Sequence, residues 1–423
     1  MVKKNKIIEG GREIVITGIG IVSPNAIGKD NFNLALQRGV SGIKDISLFD
    51  TSNLNCKTGG EVIDFDAEKL LGKKGLRNLN RSTKLALSAS KLALIDAGIE
   101  YPVNEDMSNF FGVSLGTATG SMQSIIDFDR DILRNGPSFT NPALFPNTVL
   151  NASASHISIK FNIKGFNSTI TSSLCSGMDA IFYAMSMLKN YNYNIALAGA
   201  VDEMCLEAFL GFYKSGFLSG SRPGSKEFIS APYDKRRNGA IFSEGSCILV
   251  LEELEHAVKR SAKIYARISG YGIAFDPESR LRCNLRGDGA SMAMNKALED
   301  ASLNSKDIDV IFGYGNSSPD GDLMEARAIK NVFGPASADV PVTSIKSMIG
   351  EPISAGGAFN CASAAICLQE GAVPATVNYL VPDKRCGLNI VRDKPLNIGI
   401  NNILTNAFSP TGTNSSLIIS RAD

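Results

Sequence analysis

Tryptophan is absent from these 423 residues, and histidine occurs only twice, at His156 and His256. Neither histidine lies beside a cysteine, and the eight cysteines (56, 175, 205, 247, 283, 361, 367, 386) contain no C-x-x-C pair. Zinc spacing and a disulfide framework are therefore both missing; no metal site is expected, and most of the thiols read as small core hydrophobes. An excess of one charge is missing too. Lys and Arg number 43 against 42 Asp and Glu, with no long basic run, which argues against nucleic acid and anionic membranes as partners. Nor is there an apolar stretch of about 18 residues. Lys3-Lys4-Asn5-Lys6 leads into no apolar signal core, so the expectation is a soluble chain in the cytoplasm with no membrane partner.

What is present is enough apolar material, 44% of residues, for one large core or two ordinary ones. Two distant segments echo each other. Ile14-Val-Ile-Thr-Gly-Ile-Gly-Ile-Val-Ser-Pro24 and Ala266-Arg-Ile-Ser-Gly-Tyr-Gly-Ile-Ala-Phe-Asp-Pro277 each read as a strand ending in G-x-G and an apolar run closed by proline. Downstream, Leu92–Ile99 matches Lys296–Leu303, each ending a helical pattern before an apolar strand, at Phe110–Leu115 and Val310–Tyr314. The echo predicts duplicated βα halves, 1–260 and 261–423, joined through a helix at Glu252–Arg260, with extra material near 30–80 and 118–165. Alternating strands and helices predict parallel, doubly covered sheets. The G-x-G of Gly18 and Gly20 lacks the remainder of a dinucleotide fingerprint, and no nucleotide site is expected.

One cysteine stands apart. Ile170-Thr-Ser-Ser-Leu-Cys-Ser-Gly-Met-Asp-Ala180 runs into a helical pattern at Met178–Lys189 and then an apolar strand at Tyr193–Ala200. Small residues around Cys175 permit a tight strand-to-helix turn, which would set its sulfur at a helix N-terminus, where the dipole lowers a thiol pKa. The same pattern also fits a buried structural cysteine.

Cys175 in Ser172-Ser-Leu-Cys-Ser-Gly177, Pro232-Tyr-Asp-Lys-Arg-Arg-Asn-Gly-Ala-Ile-Phe-Ser-Glu-Gly245, Gly315 to Pro319 with Gly321, Asp322 and Glu325, Lys346-Ser-Met-Ile-Gly350, and Phe408 through Gly412-Thr-Asn414 occur in that order. Together they resemble the β-ketoacyl-[acyl-carrier-protein] synthases of type II fatty-acid and polyketide systems. The resemblance spans roughly residues 13 to 420. It implies a thiolase fold, an α/β architecture of two similar halves in five layers αβαβα, working as a dimer. It also implies no cofactor of the chain's own, with substrates arriving on the phosphopantetheine arm of acyl carrier protein.

In that family a cysteine accepts an acyl chain, and two histidines promote decarboxylation of a malonyl thioester whose carbanion attacks it. The histidines begin H-G-T-x-T and end K-S-x-x-G-H. Here those motifs read Tyr314-Gly-Asn-Ser-Ser318 and Lys346-Ser-Met-Ile-Gly-Glu351, so Tyr314 and Glu351 replace both histidines. A charged Glu351 would oppose a thiolate at Cys175 and repel a malonyl carboxylate unless Lys346 neutralised it. The family's glycine-rich turn supplies an oxyanion-binding N–H where this chain has Pro410, which has none. Asn316 and Ser318 stand where two threonines contact phosphopantetheine, beside Phe408; Thr119 and Leu144 are assigned to the floor of an acyl tunnel. The expectation is a chain-length-factor subunit, impaired in condensation, forming a heterodimer with an active ketosynthase-α subunit and meeting acyl carrier protein. The alternative is a condensing enzyme or acyltransferase using Cys175 with Tyr314 and Glu351.

Overall fold

The computed structural model describes residues 11–221, 228–279 and 282–422. Its principal strands are β1 (Ile14–Ser23), β2 (Phe111–Gly116), β3 (Asn167–Ile170), β4 (Ile195–Asp202) and β5 (Gly245–Glu253), then β6 (Ala266–Phe275), β7 (Val310–Phe312), β8 (Pro341–Thr343), β9 (Asn402–Phe408) and β10 (Thr413–Ser420). They are ordered β3-β2-β4-β5-β1, then β6-β10-β9-β7-β8. The two runs repeat one topology in mirror order. They meet only where Val15 and Ile16 of β1 pair with Arg267 and Ala266 of β6.

Helices α1 (Arg81–Asp96), α2 (Ser176–Asn190), α3 (Asp288–Asp300), α4 (Pro319–Phe333) and α5 (Gly356–Glu370) complete the layers. Helices α2 and α5 lie between the sheets, and from Gly356 to Leu368 every residue of α5 is buried. An α-helix apolar all round belongs in such a layer. Helix α1 covers the outer face of the first sheet and α3 that of the second, giving αβαβα. Among the described residues no helix is long and apolar enough to cross a membrane.

The sheets are mixed, which corrects the parallel expectation. Strand β2 is parallel to β3 and β4, and β7 to β8 and β9. Strand β5 runs antiparallel to β4 and β1, and β10 to β9 and β6. Between β9 and β10 the chain returns through residues 409–412, a connection too short for any but an antiparallel pair. The connecting helix begins at Leu254, two residues later than predicted, because β5 continues to Glu253. The Glu253 carboxylate then caps the helix by accepting from the N–H groups of Glu255 and His256.

The repeated G-x-G has a packing cause. A Cβ on Gly18 would lie 2.5 Å from the Ala93 carbonyl oxygen of α1, and one on Gly20 would lie 1.9 Å from that of Ala89. Gly270 and Gly272 meet Ala297 and Ala293 of α3 in the same way, at 2.3 and 2.0 Å. Glycine lets each outer helix settle directly on a strand. Gly20→Ala is therefore expected to cost at least about 3 kcal/mol, at the upper end for overpacking because the obstruction is backbone. Gly211, within the helix Leu206–Lys214, has nothing within 4 Å of an added Cβ. Gly211→Ala should gain about 0.5–1 kcal/mol. Thermal melts of the two variants check the contrast.

Candidate active site

Strand β7 ends at Phe312, and the chain turns through Gly313, Tyr314 and Gly315. Glycine flanks the tyrosine because Tyr233 lies alongside: a Cβ on Gly313 would sit 2.0 Å from the Tyr233 hydroxyl oxygen, and one on Gly315 2.5 Å away. Tyr233 is wholly buried, holds a φ of 62°, and donates its hydroxyl to Glu325 of α4 at 2.6 Å. Glu325 also accepts from the N–H groups of Tyr314 (2.7 Å) and Gly315 (2.8 Å) and from Asn406 Nδ2 (3.0 Å). Four donors on one buried carboxylate make it the anchor of this turn. The motif places Glu325 in the site, whereas nothing along the chain gives Tyr233 a role.

Tyr314 closes onto a polar cluster. Asn316 Nδ2 donates to the Tyr314 hydroxyl and to Glu351 Oε2, both at 2.9 Å. Lys346 Nζ donates to the same Glu351 oxygen at 2.8 Å and lies 4.5 Å from the centre of the Tyr314 ring. The Lys346 and Glu351 side chains are 4% and 0% exposed. Phe408 tilts against the tyrosine, ring centres 5.9 Å apart. Lys346 thus neutralises Glu351, and its charge also rests on an aromatic face. Burial raises the Tyr314 pKa well above its ordinary value, with Cys283 and Glu351 adding to the shift. Tyr314 is a neutral phenol, unfit to serve as a base. Glu351 Oε1 has no partner among the described residues.

The residues assigned to the carrier arm and the tunnel lie as follows. Asn316 has its amide nitrogen on two acceptors, and its Oδ1 accepts from the Ser318 N–H at 3.1 Å. Thr119 directs its hydroxyl to Asp202 at 3.0 Å. Leu144 is 40% exposed, on the short 3-10 helix Pro142–Thr148 at the surface. Ser318, half-buried, begins α4 as its N-cap residue.

Asp202, which sequence reasoning missed, ends β4 inside the protein. It accepts from Thr117 Oγ1 and the Thr119 N–H, and its other oxygen accepts from the Ser354 N–H at 3.0 Å. This carboxylate ties the 117–120 loop to the segment following Glu351. Burial raises its pKa, against the pull of those hydrogen bonds. Nothing in the local sequence singles it out from the other strand-end acids.

Cys175 does begin α2, as the turn pattern predicts. The expectation of a lowered pKa fails. Its thiol is fully buried and points to the carbonyl oxygens of Ala407 (3.1 Å) and Thr413 (3.4 Å). Carbonyl oxygens accept from S–H and repel a thiolate. Burial first, and then Asp179 one turn along the helix, push its pKa well above the ordinary value; Ser415 and the charge of Lys346 pull the other way only in part. Cys175 belongs to the apolar cluster that includes Met178, Ala200, Ala358 and Ala407, and Tyr314 and Phe408 to the neighbouring one. The helix dipole is outweighed because the sulfur has left water.

The turn at Pro410 also lacks a free donor. Ser409 N–H bonds to Thr413 O at 2.9 Å, Thr411 N–H to Ser409 Oγ at 3.2 Å and Gly412 N–H to Ser409 O at 3.0 Å. Neither histidine reaches the cluster: His156 is half-buried in the helix Ala152–Phe161, and His256 Nδ1 bonds Glu252 at 2.5 Å.

Residues 11–257 match the family model for the β-ketoacyl synthase N-terminal domain, and 265–380 that for the C-terminal domain. The chain is 32% identical over 410 residues to a 3-oxoacyl-[acyl-carrier-protein] synthase 2 of Coxiella burnetii, covering 97% of this chain and 99% of the relative. It is 31% identical to the namesake of Vibrio cholerae, with the same coverage. Among solved structures it resembles the ishigamide ketosynthase/chain length factor (TM-score 0.90, 28% identity, 98% of this chain and 100% of the other). It also resembles a type II polyketide ketosynthase in complex with its acyl-carrier protein (TM-score 0.87, 25% identity, 98% and 100%). The shared architecture is the thiolase fold.

Proposed function

The chain belongs to the β-ketoacyl synthase family, and within it we propose that it is a non-condensing, chain-length-factor-like subunit that pairs with a catalytically complete ketosynthase. The observation that carries this reading is the closed set of Tyr314, Asn316, Lys346 and Glu351. Where decarboxylation calls for neutral donors aimed at a malonyl thioester, the chain presents a carboxylate locked to an ammonium and a phenol already hydrogen-bonded. Preorganised donors act only where charge develops, and here the Lys346 ammonium and the Asn316 amide are already engaged by Glu351 and by the Tyr314 hydroxyl.

On this reading the halves 1–260 and 261–423 form one protomer of a cytoplasmic heterodimer. The partner carries out condensation on chains held by the phosphopantetheine arm of acyl carrier protein. Leu133, Phe139 and Phe145, respectively 86%, 82% and 56% exposed, supply apolar surface for the partner to cover, with Leu144 beside them. The reading as a self-sufficient condensing enzyme requires a thiolate at Cys175, and burial against the Ala407 carbonyl disfavours one.

Co-expression with a ketosynthase that retains both histidines tests the pairing. The expected result is a one-to-one complex that survives size-exclusion chromatography. A stable homodimer that excludes every such ketosynthase would overturn it.

A further inference from the structure

Away from the Tyr314–Glu351 cluster, a cleft of about 440 Å³ opens between the C-terminal end of the helix Lys29–Gln37 and the segments 375–380 and 393–395. That volume is in the range of small-molecule sites. Leu36, Val377, Leu380 and Pro395 give it aliphatic walls, and Leu380 is left 70% exposed. Hydrocarbon laid against them would leave water.

The same cleft carries two cations. Arg38 and Lys394 line it, both exposed, and neither has a carboxylate within ion-pair reach among the described residues. Asp393, the acidic residue of the lining, lies 3.6 Å from Arg392 Nε instead. The carbonyls of Leu34, Ala35 and Leu36 at the helix end accept from the N–H groups of Arg38, Val40 and Gly39, so they oppose an anion less than a bare helix end would. In the 375–380 wall Asn378 is left-handed at φ 63°, and neither its N–H nor that of Tyr379 meets an acceptor among the described residues. Successive free N–H groups around such a turn favour an anion.

The floor of the cleft is joined to the interior. Thr376 Oγ1 accepts from the Ser344 N–H at 2.9 Å, and the Val377 N–H donates to Ser347 Oγ at 3.0 Å. These two serines bracket Lys346, and Ser344 Oγ donates to the Gly315 carbonyl, next to Tyr314, at 2.6 Å.

We infer that this cleft is a binding site for a small apolar carboxylate, with Arg38 and Lys394 taking the charge and the aliphatic walls taking the hydrocarbon. Neither part suffices alone, since an ion pair at exposed cations is weak and the walls give no orientation. Hydrolysis of an acyl thioester is the class of reaction that would supply such an acid. Bound there, it would steady Thr376 and Val377 and, through them, the segment that carries Lys346. The site shares no residue with the set on which the non-condensing reading rests.

The test titrates the full chain, without a partner, with octanoate below its micelle-forming concentration. Calorimetry should show one saturable site, and hydrogen exchange should slow at 375–380 and 344–347. Arg38→Glu combined with Lys394→Glu should bind at least about tenfold more weakly, with its melting temperature unchanged, because both side chains are exposed. If that variant does not fold, Arg38→Gln with Lys394→Gln makes the same comparison. Octanol, which lacks the charge, and inorganic phosphate, which lacks the hydrocarbon, should not displace octanoate at equal concentration. Binding that the charge variants leave unchanged, slowed exchange confined to other segments, displacement by either control, or no binding at millimolar octanoate would each overturn the inference. None of these outcomes depends on pairing, so failure to bind a ketosynthase would defeat the proposed function and leave this result standing.

Discussion

Purified alone, the chain should release carbon dioxide from malonyl-carrier protein at the background rate, at least about 10⁴-fold below a ketosynthase with both histidines. Losing a positioned proton-handling group typically costs about 10²–10⁴, and losing an oxyanion donor about 10²–10³. On the proposed reading both losses apply. Tyr314 is held as a neutral phenol by burial, Glu351 is engaged by Lys346, and the 408–414 hairpin has its N–H groups at 409, 411 and 412 bonded internally with proline at 410. Restoring one residue, as in Tyr314→His or Glu351→His, should recover little, because the remaining departures act on the same step. The complex with a ketosynthase should decarboxylate, and inactivating the partner's cysteine should abolish its condensation. Turnover by the isolated chain at an ordinary ketosynthase rate, removed by Glu351→Gln, would show a rebuilt site and defeat the non-condensing reading.

Glu351→Gln should also destabilise the protein by about 3–5 kcal/mol, the usual cost of leaving one member of a buried ion pair uncompensated. The Lys346 ammonium would retain only the Tyr314 ring and an amide, with almost no access to water. Lys346→Met should cost a similar amount, leaving the Glu351 carboxylate with Asn316 as its donor and Oε1 still unpartnered. The double variant Lys346→Met/Glu351→Gln should recover most of the loss, since no charge then remains to be buried. Urea unfolding of the four proteins measures the coupling. The effect should persist at 1 M salt, because screening acts poorly on a pair so far from solvent. Single variants within about 0.5 kcal/mol of the parent, or strictly additive losses, would mean that the pair contributes no net stability.

Ser172–Gly177 marks where reading along the chain stops working. The motif order located the turn, and the small residues there predicted α2 correctly. That the Cys175 thiol is buried against two carbonyl oxygens depends on a left-handed Ser173, a tight helical turn and the distant hairpin, and no composition rule reveals that. The bonds of Asn316 are equally illegible along the chain, because Glu351, distant in sequence, arrives within hydrogen-bonding reach of its amide. Asp202 and Tyr233 escaped notice because their roles consist of donors and acceptors contributed by several separate segments.

The sequence by itself determined the α/β thiolase architecture and the family, and it carries the repeated G-x-G and the Tyr314, Glu351 and Pro410 identities on which the proposed function rests. These are readable because each is a matter of residue identity at a motif position, or of a local constraint met twice, such as the glycines that let a helix lie directly on β1 and again on β6. Only the tertiary structure decided the antiparallel strands, the joining of Lys346 to Glu351, and the burial of the Cys175 thiol against the carbonyl oxygens of Ala407 and Thr413. Those outcomes depend on which groups distant in sequence share a space without water, where a paired charge is tolerated, a lone one is costly, and a thiol facing carbonyl oxygens keeps its proton.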